Sequence, residues 1–409
     1  MEKCSIDSGD GFGLSVSKGT KLMMNHCQIL HSKTAVQTKN LSELDINDCI
    51  IQHSRSSIIV MRGTKANIRR CSISDAIEGI VFYHAEDIDT VEDQLTMEDC
   101  VISRMNNNGL SIYGDIAPVV KNCIILHCKS TGVNVVNDSS VTKRPAIFEK
   151  CVIEETEGFN VFISNTSPIF RDCQILNAHG KISSIRNYPL LIEKGINVTG
   201  SNIFVIFDSS PQFIECTISS KFKPEIAHFV GVGYRAKASF EKCIFDGEGI
   251  RSPSLAFFFE SSGMVKNCIL KNSAMTEAIT VLSQAQVTFD NSFFENNYAG
   301  IMCGNEGTAN INNCTFTNNT FGVVGTETGT LYSSKSRFDG NLQASIFMEE
   351  QARGTFENNE ILNGKKYGIA IRSEEPIAFR SNIFKNNGTN WLIQCSGKQL
   401  QRIDNEPNE

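Results

Sequence analysis

The stretch Phe148-Glu149-Lys150-Cys151-Val152-Ile153 decides the fold, because its pattern recurs along almost the whole chain. The pattern is apolar-x-x-Cys-x-apolar, and we call its cysteine position the anchor. Anchors recur about every 23 residues, and a fixed period of this length is the signature of stacked structural units. The seventeen anchors, twelve of them cysteine, are Cys4, Cys27, Cys49, Cys71, Cys100, Cys123, Cys151, Cys173, Gly195, Cys216, Cys243, Cys268, Ser292, Cys314, Ser336, Asn359 and Asn382.

A second signature, Gly-apolar-x-apolar, follows the anchor by seven to nine residues, as at 79–82 and 132–135. In both signatures apolar and polar residues alternate over short runs, which is the period of a β-strand. Each repeat therefore predicts about three short strands, and such a coil buries its apolar side chains only by stacking on its neighbours. The sequence predicts an all-β fold, a single-stranded right-handed parallel β-helix of about 17 coils of about 23 residues. It covers 1–398, and 399–409 is a polar C-terminal tail.

The combined pattern resembles the parallel β-helix repeat of the pectin-lyase-like superfamily, and the resemblance covers nearly the whole chain. Within that superfamily, cysteine-rich coils without a secretion signal look most like the intracellular, non-catalytic branch. This branch includes the Shc-SH2-binding protein family and the F-box β-helix proteins. The resemblance implies a scaffold or protein-interaction module within a larger cytoskeletal, ciliary or ubiquitin-ligase-type assembly.

Composition excludes several classes of function. The net charge is −7, and no Lys/Arg run is longer than two residues, so neither nucleic acid nor a membrane surface is predicted as a partner. The start of the chain, 1–6, has no apolar signal region, which predicts a cytoplasmic location where thiols stay reduced. The anchor cysteines should then form an interior ladder of packed thiols.

Metal and cofactor sites are not indicated. Zinc sites require closely spaced Cys or His pairs such as C-x2-C, and this chain has none. Adjacent pairs such as His127-Cys128 point to opposite faces of a strand. We therefore predict no metal and no cofactor.

Carbohydrate chemistry is the alternative, since secreted β-helices cleave acidic polysaccharides. Glycosidases need two carboxylates across the scissile bond. The chain has no paired Asp-Asp and no Gly-His-Gly, which polygalacturonase-like enzymes would show, and its Arg-x-Lys at 235–237 stands without them. The sequence thus favours a non-catalytic protein, and a lyase or hydrolase acting on an acidic polysaccharide remains the alternative.

Two repeats are longer than the others at the same point of the coil. Steps of 29 residues after Cys71 and 28 after Cys123 place the surplus in 83–93 and 137–145. Both insertions follow the second signature two coils apart, which is about 10 Å at the strand spacing. An acidic insertion should therefore lie beside a basic one.

Insertions on one side of a β-helix often form its binding face. The candidate binding residues are His84, Glu86, Asp87, Asp89, Lys143 and Arg144. The other interpretation is two solvated loops joined by weak surface ion pairs. We predict no catalytic residue. A solenoid also needs its end coils covered, and the first anchor is already residue 4, so either the chain is part of a longer polypeptide or a protein partner covers the N-terminal coil.

Overall fold

The structure is a computed structural model. It describes residues 1–39, 41–83, 94–137, 144–179, 202–220, 230–247, 252–396 and 400–406. Within these ranges the regular elements are β-strands, and no helix there could span a membrane. The chain divides into two compact units, the first containing 1–204 and 208–212 and the second containing 205–207 and 213–409.

The strands are three to six residues long. Up to the division between the units they are β1 (Ser5–Asp7), β2 (Phe12–Val16), β3 (Lys21–Asn25), β4 (Gln28–Leu30), β5 (Thr34–Thr38), β6 (Glu43–Asn47), β7 (Ile50–Gln52), β8 (Ser56–Met61), β9 (Lys65–Arg69), β10 (Ser72–Ser74), β11 (Glu78–Tyr83), β12 (Gln94–Glu98), β13 (Val101–Ser103), β14 (Leu110–Tyr113), β15 (Val119–Lys121), β16 (Ile124–Leu126), β17 (Thr131–Val136), β18 (Ile147–Glu149), β19 (Val152–Glu154), β20 (Phe159–Ser164), β21 (Ile169–Arg171), β22 (Gln174–Leu176) and β23 (Ile203–Ile206). They continue with β24 (Gln212–Ile214), β25 (Thr217–Ser219), β26 (Val230–Val232), β27 (Lys237–Glu241), β28 (Ile244–Asp246), β29 (Leu255–Phe257), β30 (Ser262–Lys266), β31 (Ile269–Lys271), β32 (Glu277–Val281), β33 (Gln286–Asp290), β34 (Phe293–Glu295), β35 (Ala299–Cys303), β36 (Thr308–Asn312), β37 (Thr315–Thr317), β38 (Phe321–Gly325), β39 (Thr330–Ser334), β40 (Arg337–Asp339), β41 (Ala344–Met348), β42 (Arg353–Glu357), β43 (Glu360–Leu362), β44 (Tyr367–Ile371), β45 (Ile377–Arg380), β46 (Ile383–Lys385), β47 (Thr389–Ile393) and β48 (Leu400–Ile403).

Every third strand pairs in parallel with the next, so each unit consists of three parallel sheets. In the first unit, sheet 1 runs β1-β4-β7-β10-β13-β16-β19-β22, sheet 2 runs from β2 to β20, and sheet 3 runs from β3 to β21. In the second unit the same sheets run β25 to β46, β26 to β47 and β24 to β48. Counted over the described residues, each sheet type receives sixteen strands, close to the seventeen coils predicted. The all-β, right-handed parallel β-helix is confirmed.

A sharp turn precedes each described anchor, between sheet 3 and sheet 1. The residue before the anchor has positive φ, as at Arg70 (φ 49) and Lys150 (φ 53). This left-handed residue redirects the chain, and the anchor side chain then faces the interior. The thiol of Cys151 donates to the Glu149 carbonyl at 3.4 Å and to the Val120 carbonyl of the preceding coil at 3.5 Å.

The anchors form the interior ladder that the sequence predicts. Cysteine anchors from Cys27 to Cys314 are at most 2% exposed. All fifteen cysteines lie in the described ranges and are thiols. The amide of Asn382 takes over this position with stronger hydrogen bonds: it donates to the Phe356 carbonyl at 2.9 Å and accepts from the Asn359 backbone at 3.0 Å.

Aromatic side chains stack two positions after the anchor. The Phe316 ring lies 4.6 Å from that of Phe294 and 4.8 Å from that of Phe338, nearly parallel to both. Apolar residues at this position therefore fill the core, as their alternation with polar residues indicates. Near the end of the second unit, the Trp391 ring packs at 5.0 Å against Phe384.

The end of the chain differs from its prediction. The sequence predicts a polar tail over 399–409, whereas β48 pairs with β45 and continues sheet 3. Asn405 lies 23 residues after Asn382 and is buried. Its side-chain oxygen accepts a hydrogen bond from the backbone N–H of Asn382 at 3.0 Å. Backbone pairing and a buried amide build this coil without an apolar pattern. The anchor Gly195 lies outside the described residues.

Candidate functional site

The two insertions leave neighbouring strands of sheet 2 in the first unit. The last residue of β11, Tyr83, is in register with Tyr113 of β14, and Tyr113 is in register with Val136 of β17. The segments 83–93 and 137–145 therefore begin on either side of β14. We call the ends of β11, β14 and β17 the insertion edge.

The candidate residues can be located only in part. His84, Glu86, Asp87, Asp89 and Lys143 lie outside the described residues. Arg144 is described, and it is exposed. The juxtaposition of the acidic and basic insertions thus stays a prediction, although the strands from which they emerge are neighbours.

A buried polar cluster lies on the outer side of sheet 2 at this edge. Ser111 is in register with Asn134, and both are at most 3% exposed. The Asn134 amide donates to the Tyr113 hydroxyl at 3.3 Å, and Asn108 donates to the Ser111 hydroxyl at 3.3 Å. Burial raises the pKa of Tyr113. Among the described residues, the amide oxygens of Asn108 and Asn134 have no hydrogen-bond donor.

Glu78, at the start of β11, is a half-buried carboxyl near this cluster. It accepts hydrogen bonds from the Asn107 side chain and from the Asn108 backbone. Desolvation outweighs these bonds and raises the pKa of Glu78. Low solvation favours the neutral acid, so Glu78 is a potential proton donor.

A second surface of the first unit lies on the turns between sheet 1 and sheet 2. It is a groove of about 670 Å³ crossing several coils, and we call it the turn groove. Its lining residues are Gly9, Asp10, His31, Ser32, Lys33, His53, Ser54, Arg55, Asp75, Ala76, Ile77 and Asn106. Two adjacent coils contribute the related triplets His31-Ser32-Lys33 and His53-Ser54-Arg55 at equivalent positions.

A column of titratable side chains forms one side of the turn groove. The His31 ring stacks on the His53 ring at 5.3 Å with 10° between their planes. Asp7 lies 3.1 Å from Nδ1 of His31. Further along, Arg104 donates to both carboxylate oxygens of Asp75, at 2.7 and 2.6 Å. These bonds lower the pKa of Asp75 to about 2, so Asp75 is ionised and its charge is neutralised by Arg104.

The column continues beyond the turn groove with the same pairing of opposite charges. Nδ1 of His127 lies 3.1 Å from a carboxylate oxygen of Glu155. Each side chain of the column stands four residues after its anchor and has positive φ. The set is His31, His53, Asp75, Arg104, His127 and Glu155.

The second unit fills this left-handed position differently. From Asn272 onward the residues are Asn272, Asn296, Asn318, Gly340, Asn363 and Asn386. Gly and Asn adopt the left-handed conformation most readily, and Asp and His are also enriched in it, whereas it costs residues such as Arg and Glu about 1 kcal/mol. From His31 to Glu155 the first unit carries titratable or charged side chains at this position, two of them of disfavoured types, and its next coil already has Asn177. The column is absent from the candidate residues predicted above, although aligning the repeats on their anchors brings its members to one position of the sequence.

Metal binding is not supported by the arrangement of side chains. Within the described ranges, no three His, Cys, Asp or Glu side chains are placed to hold one ion. The stacked imidazoles and paired carboxylates of the turn groove instead make a polar, charged surface.

Comparison with protein families shows what the chain is. The model of the right-handed β-helix region matches residues 1–94, 57–245 and 254–405. The chain belongs to this family, within the pectin-lyase-like superfamily. A search of curated protein sequences returned no match.

Solved structures with a similar fold include a viral and two enzymatic proteins. Tailspike protein 3 of bacteriophage CBA120 is 10% identical with a TM-score of 0.33, and the match covers 88% of this chain and 57% of that protein. The catalytic unit of a GH87 α-1,3-glucanase from Streptomyces thermodiastaticus is 10% identical with a TM-score of 0.32, over 98% and 62%. A GH87 α-1,3-glucanase catalytic domain in complex with nigerose is 9% identical with a TM-score of 0.30, over 98% and 64%. The chain spans less than two thirds of these proteins, and likeness at this level carries no information on activity.

Proposed function

We propose that this β-helix is a non-catalytic, intracellular protein-interaction module whose first unit carries the binding surface. The observation that supports this most is the column on the turns between sheets 1 and 2. From His31 to Glu155 it holds His, Asp, Arg and Glu at a backbone conformation that later coils give to Asn or Gly, from Asn177 in the same unit and from Asn272 onward in the second. Arg104 and Glu155 are of types that this conformation disfavours, and such residues point to a functional requirement.

The parallel register makes such a column suitable for recognition. Each coil is fixed by three strand pairings, so side chains at equivalent turns repeat about every 4.8 Å along the solenoid. Stacking of His31 on His53 and the two bonds from Arg104 to Asp75 hold these groups in place before any partner arrives. A preorganised surface loses less entropy on binding.

The insertion edge provides a second contact in this proposal. The insertion residues His84, Glu86, Asp87, Asp89, Lys143 and Arg144 would extend the surface from the ends of β11 and β17. The proposed partner can also reach the N-terminal coil, where core positions are incompletely covered: Leu14 and Leu22 are half-buried, whereas their register partners Val36 and Leu44 are buried.

Cross-linking mass spectrometry of the complex purified from its native source tests this function. Lys33 and Lys129 both stand six residues after an anchor on exposed turns of the first unit, and Lys365 is the matched position in the second unit. We expect cross-links from a stoichiometric partner to Lys33 and Lys129 and none to Lys365. Cross-links confined to Lys365, or the absence of any stoichiometric partner, would contradict the proposal.

One observation favours the carbohydrate-active alternative. Asp75 and Glu78 lie three residues apart, and their environments move their pKa values in opposite directions, Asp75 to about 2 and Glu78 upward. Such divergence marks the base and the acid of many hydrolytic sites. Incubation with acidic polysaccharides tests it: turnover that Glu78→Gln abolishes would replace the binding function, and no turnover is expected.

A further inference from the structure

We propose that the turn groove binds an acidic peptide segment, whose carboxylates pair with Lys33 and Arg55. This inference rests on the proposed protein-binding function and adds the chemical class of the segment that is recognised. Two cations lie without an acidic partner among the described residues, inside a groove whose own carboxylates are largely engaged.

Lys33 and Arg55 occupy equivalent positions in adjacent coils, six residues after Cys27 and Cys49. Adjacent coils are about 4.8 Å apart, and like charges on neighbouring strands repel. Among the described residues, no carboxylate lies within ion-pair distance of either side chain. The Lys33 ammonium instead lies 5.6 Å from the centre of the Phe12 ring. A carboxylate placed between the two cations would remove their repulsion.

The acidic groups of the turn groove mostly do not compete for these cations. Asp75 is held by both donors of Arg104, and Asp7 is held by His31. Asp10 is exposed at one end of the groove. The surface therefore offers positive charge at Lys33 and Arg55 and negative charge at Asp10. A matching peptide would place its acidic residues opposite the two cations and a neutral or basic residue opposite Asp10.

The floor of the groove supplies neutral hydrogen-bonding groups. The hydroxyls of Ser32 and Ser54 belong to buried residues, and the Ser32 oxygen lies 2.7 Å from that of Ser8. Their protons are donated to the Leu30 and Gln52 carbonyls, at 3.2 and 3.4 Å, so these oxygens can accept from backbone N–H groups of a bound chain. A volume of about 670 Å³ is within the usual range for a ligand site.

The lining favours a peptide over an acidic glycan. No Trp, Tyr or Phe is among the residues that line the groove. The exposed Phe12 ring lies outside the lining with the Lys33 ammonium over its face, and the His31 and His53 rings stack on each other. Ile77 is instead 44% exposed in the groove and offers an apolar contact to a peptide side chain. An apolar side chain among charged ones in the lining matches the mixed apolar and polar side chains of a peptide.

Fluorescence anisotropy with a labelled Glu-rich peptide tests the inference on the full chain. We expect the Glu peptide to bind and its Gln counterpart to bind at least about tenfold more weakly, a loss of about 1.4 kcal/mol. Affinity for the Glu peptide should also fall between about 50 and about 300 mM salt, because exposed charges are screened. Oligogalacturonate serves as the glycan probe, and its tighter binding would overturn the peptide assignment.

The double variant Lys33→Glu/Arg55→Glu should lose at least about tenfold in affinity for the Glu peptide. It should also gain binding of a Lys-rich peptide, which an unfolded variant would not do. Lys365→Glu reverses one charge at the same position of a coil in the second unit, and it should bind like the unmodified protein. Equal binding of the Glu and Gln peptides, or full binding by the double variant, would overturn the inference. If cross-links still map a partner to Lys33 and Lys129 in that case, the interaction function stands and only the acidic segment is wrong.

Discussion

Replacing Asn382 by alanine should destabilise the last coils of the second unit severely. The Asn382 side chain is fully buried and makes four hydrogen bonds. Its amide nitrogen donates to the Phe356 carbonyl and to the Asn405 side chain, both at 2.9 Å. Its oxygen accepts from the backbone and side-chain amides of Asn359, both at 3.0 Å. At about 1 kcal/mol for each bond, the loss is about 4 kcal/mol.

Urea unfolding followed by tryptophan fluorescence measures this loss locally. Trp391 is the only tryptophan of the chain, and its ring lies 5.0 Å from Phe384, two residues after Asn382. With a slope of about 2 kcal/mol per M of urea, the midpoint should fall by about 2 M. The unfolding transition seen by Trp391 fluorescence is therefore that of the coils that contain the substitution.

An exposed asparagine of the same coil supplies the matched control. Asn386 makes one side-chain bond as a donor, to Asn363 at 3.3 Å, and has φ 57. Asn386→Gly keeps the left-handed backbone accessible and should shift the midpoint by less than about 0.3 M. The reasoning fails if Asn382→Ala shifts the midpoint no further than this control does, since buried amide bonds would then contribute little to stability.

Three further outcomes are expected. Ellman's reagent should react in the native protein only with Cys4 and Cys395, the half-buried thiols. The other thiols are shielded by burial, which also raises the pKa of Cys314 to about 12. Rapid reaction of all fifteen cysteines in the native protein would contradict this. Phe316→Ala should cost about 3 to 5 kcal/mol in urea unfolding, because its ring stacks on two others, and a loss below about 1 kcal/mol would refute core stacking. The folded-state pKa of Asp75 is lowered to about 2, so its pairing stabilises the protein above pH 4 or so and loses that effect as pH falls through about 2. Asp75→Asn should then cost less than about 1 kcal/mol near neutral pH and nothing near pH 2, and an equal cost at both pH values would exclude the ion pair as the cause.

The fold could be predicted because, in the strands of a β-helix, buried apolar residues alternate with exposed polar ones. Cys151 and Ile153 both face the interior, and the polar or exposed positions around them face outward. Two-residue periodicity therefore locates the core without any knowledge of turns. The end of the chain escaped this reasoning, because β48 pairs through its backbone and Asn405 is a polar residue in a buried position.

The candidate sites were less predictable for a different physical reason. Step lengths place the insertions after β11 and β17, since extra residues must leave the coil somewhere between two signatures. The left-handed turn at His31 or Arg104 has no such signature, because neither residue type marks that conformation as Gly or Asn does. Ion pairing across coils, such as that of Arg104 with Asp75, depends on register between residues 29 positions apart. Only a full alignment of the repeats exposes such pairs.

The interchange of Cys, Ser and Asn at the anchor has a consequence for how this molecule can change length. From Ser292 through Cys314 to Ser336 each coil is 22 residues long and offers nearly identical faces to its neighbours. Excision or duplication of one such coil would join coil surfaces that already fit each other. The Ser hydroxyl and the Cys thiol would still donate to equivalent backbone carbonyls, two residues before each anchor. Recombination within the gene could therefore shorten or lengthen the second unit one whole turn at a time, while the charged groove of the first unit is passed on unaltered.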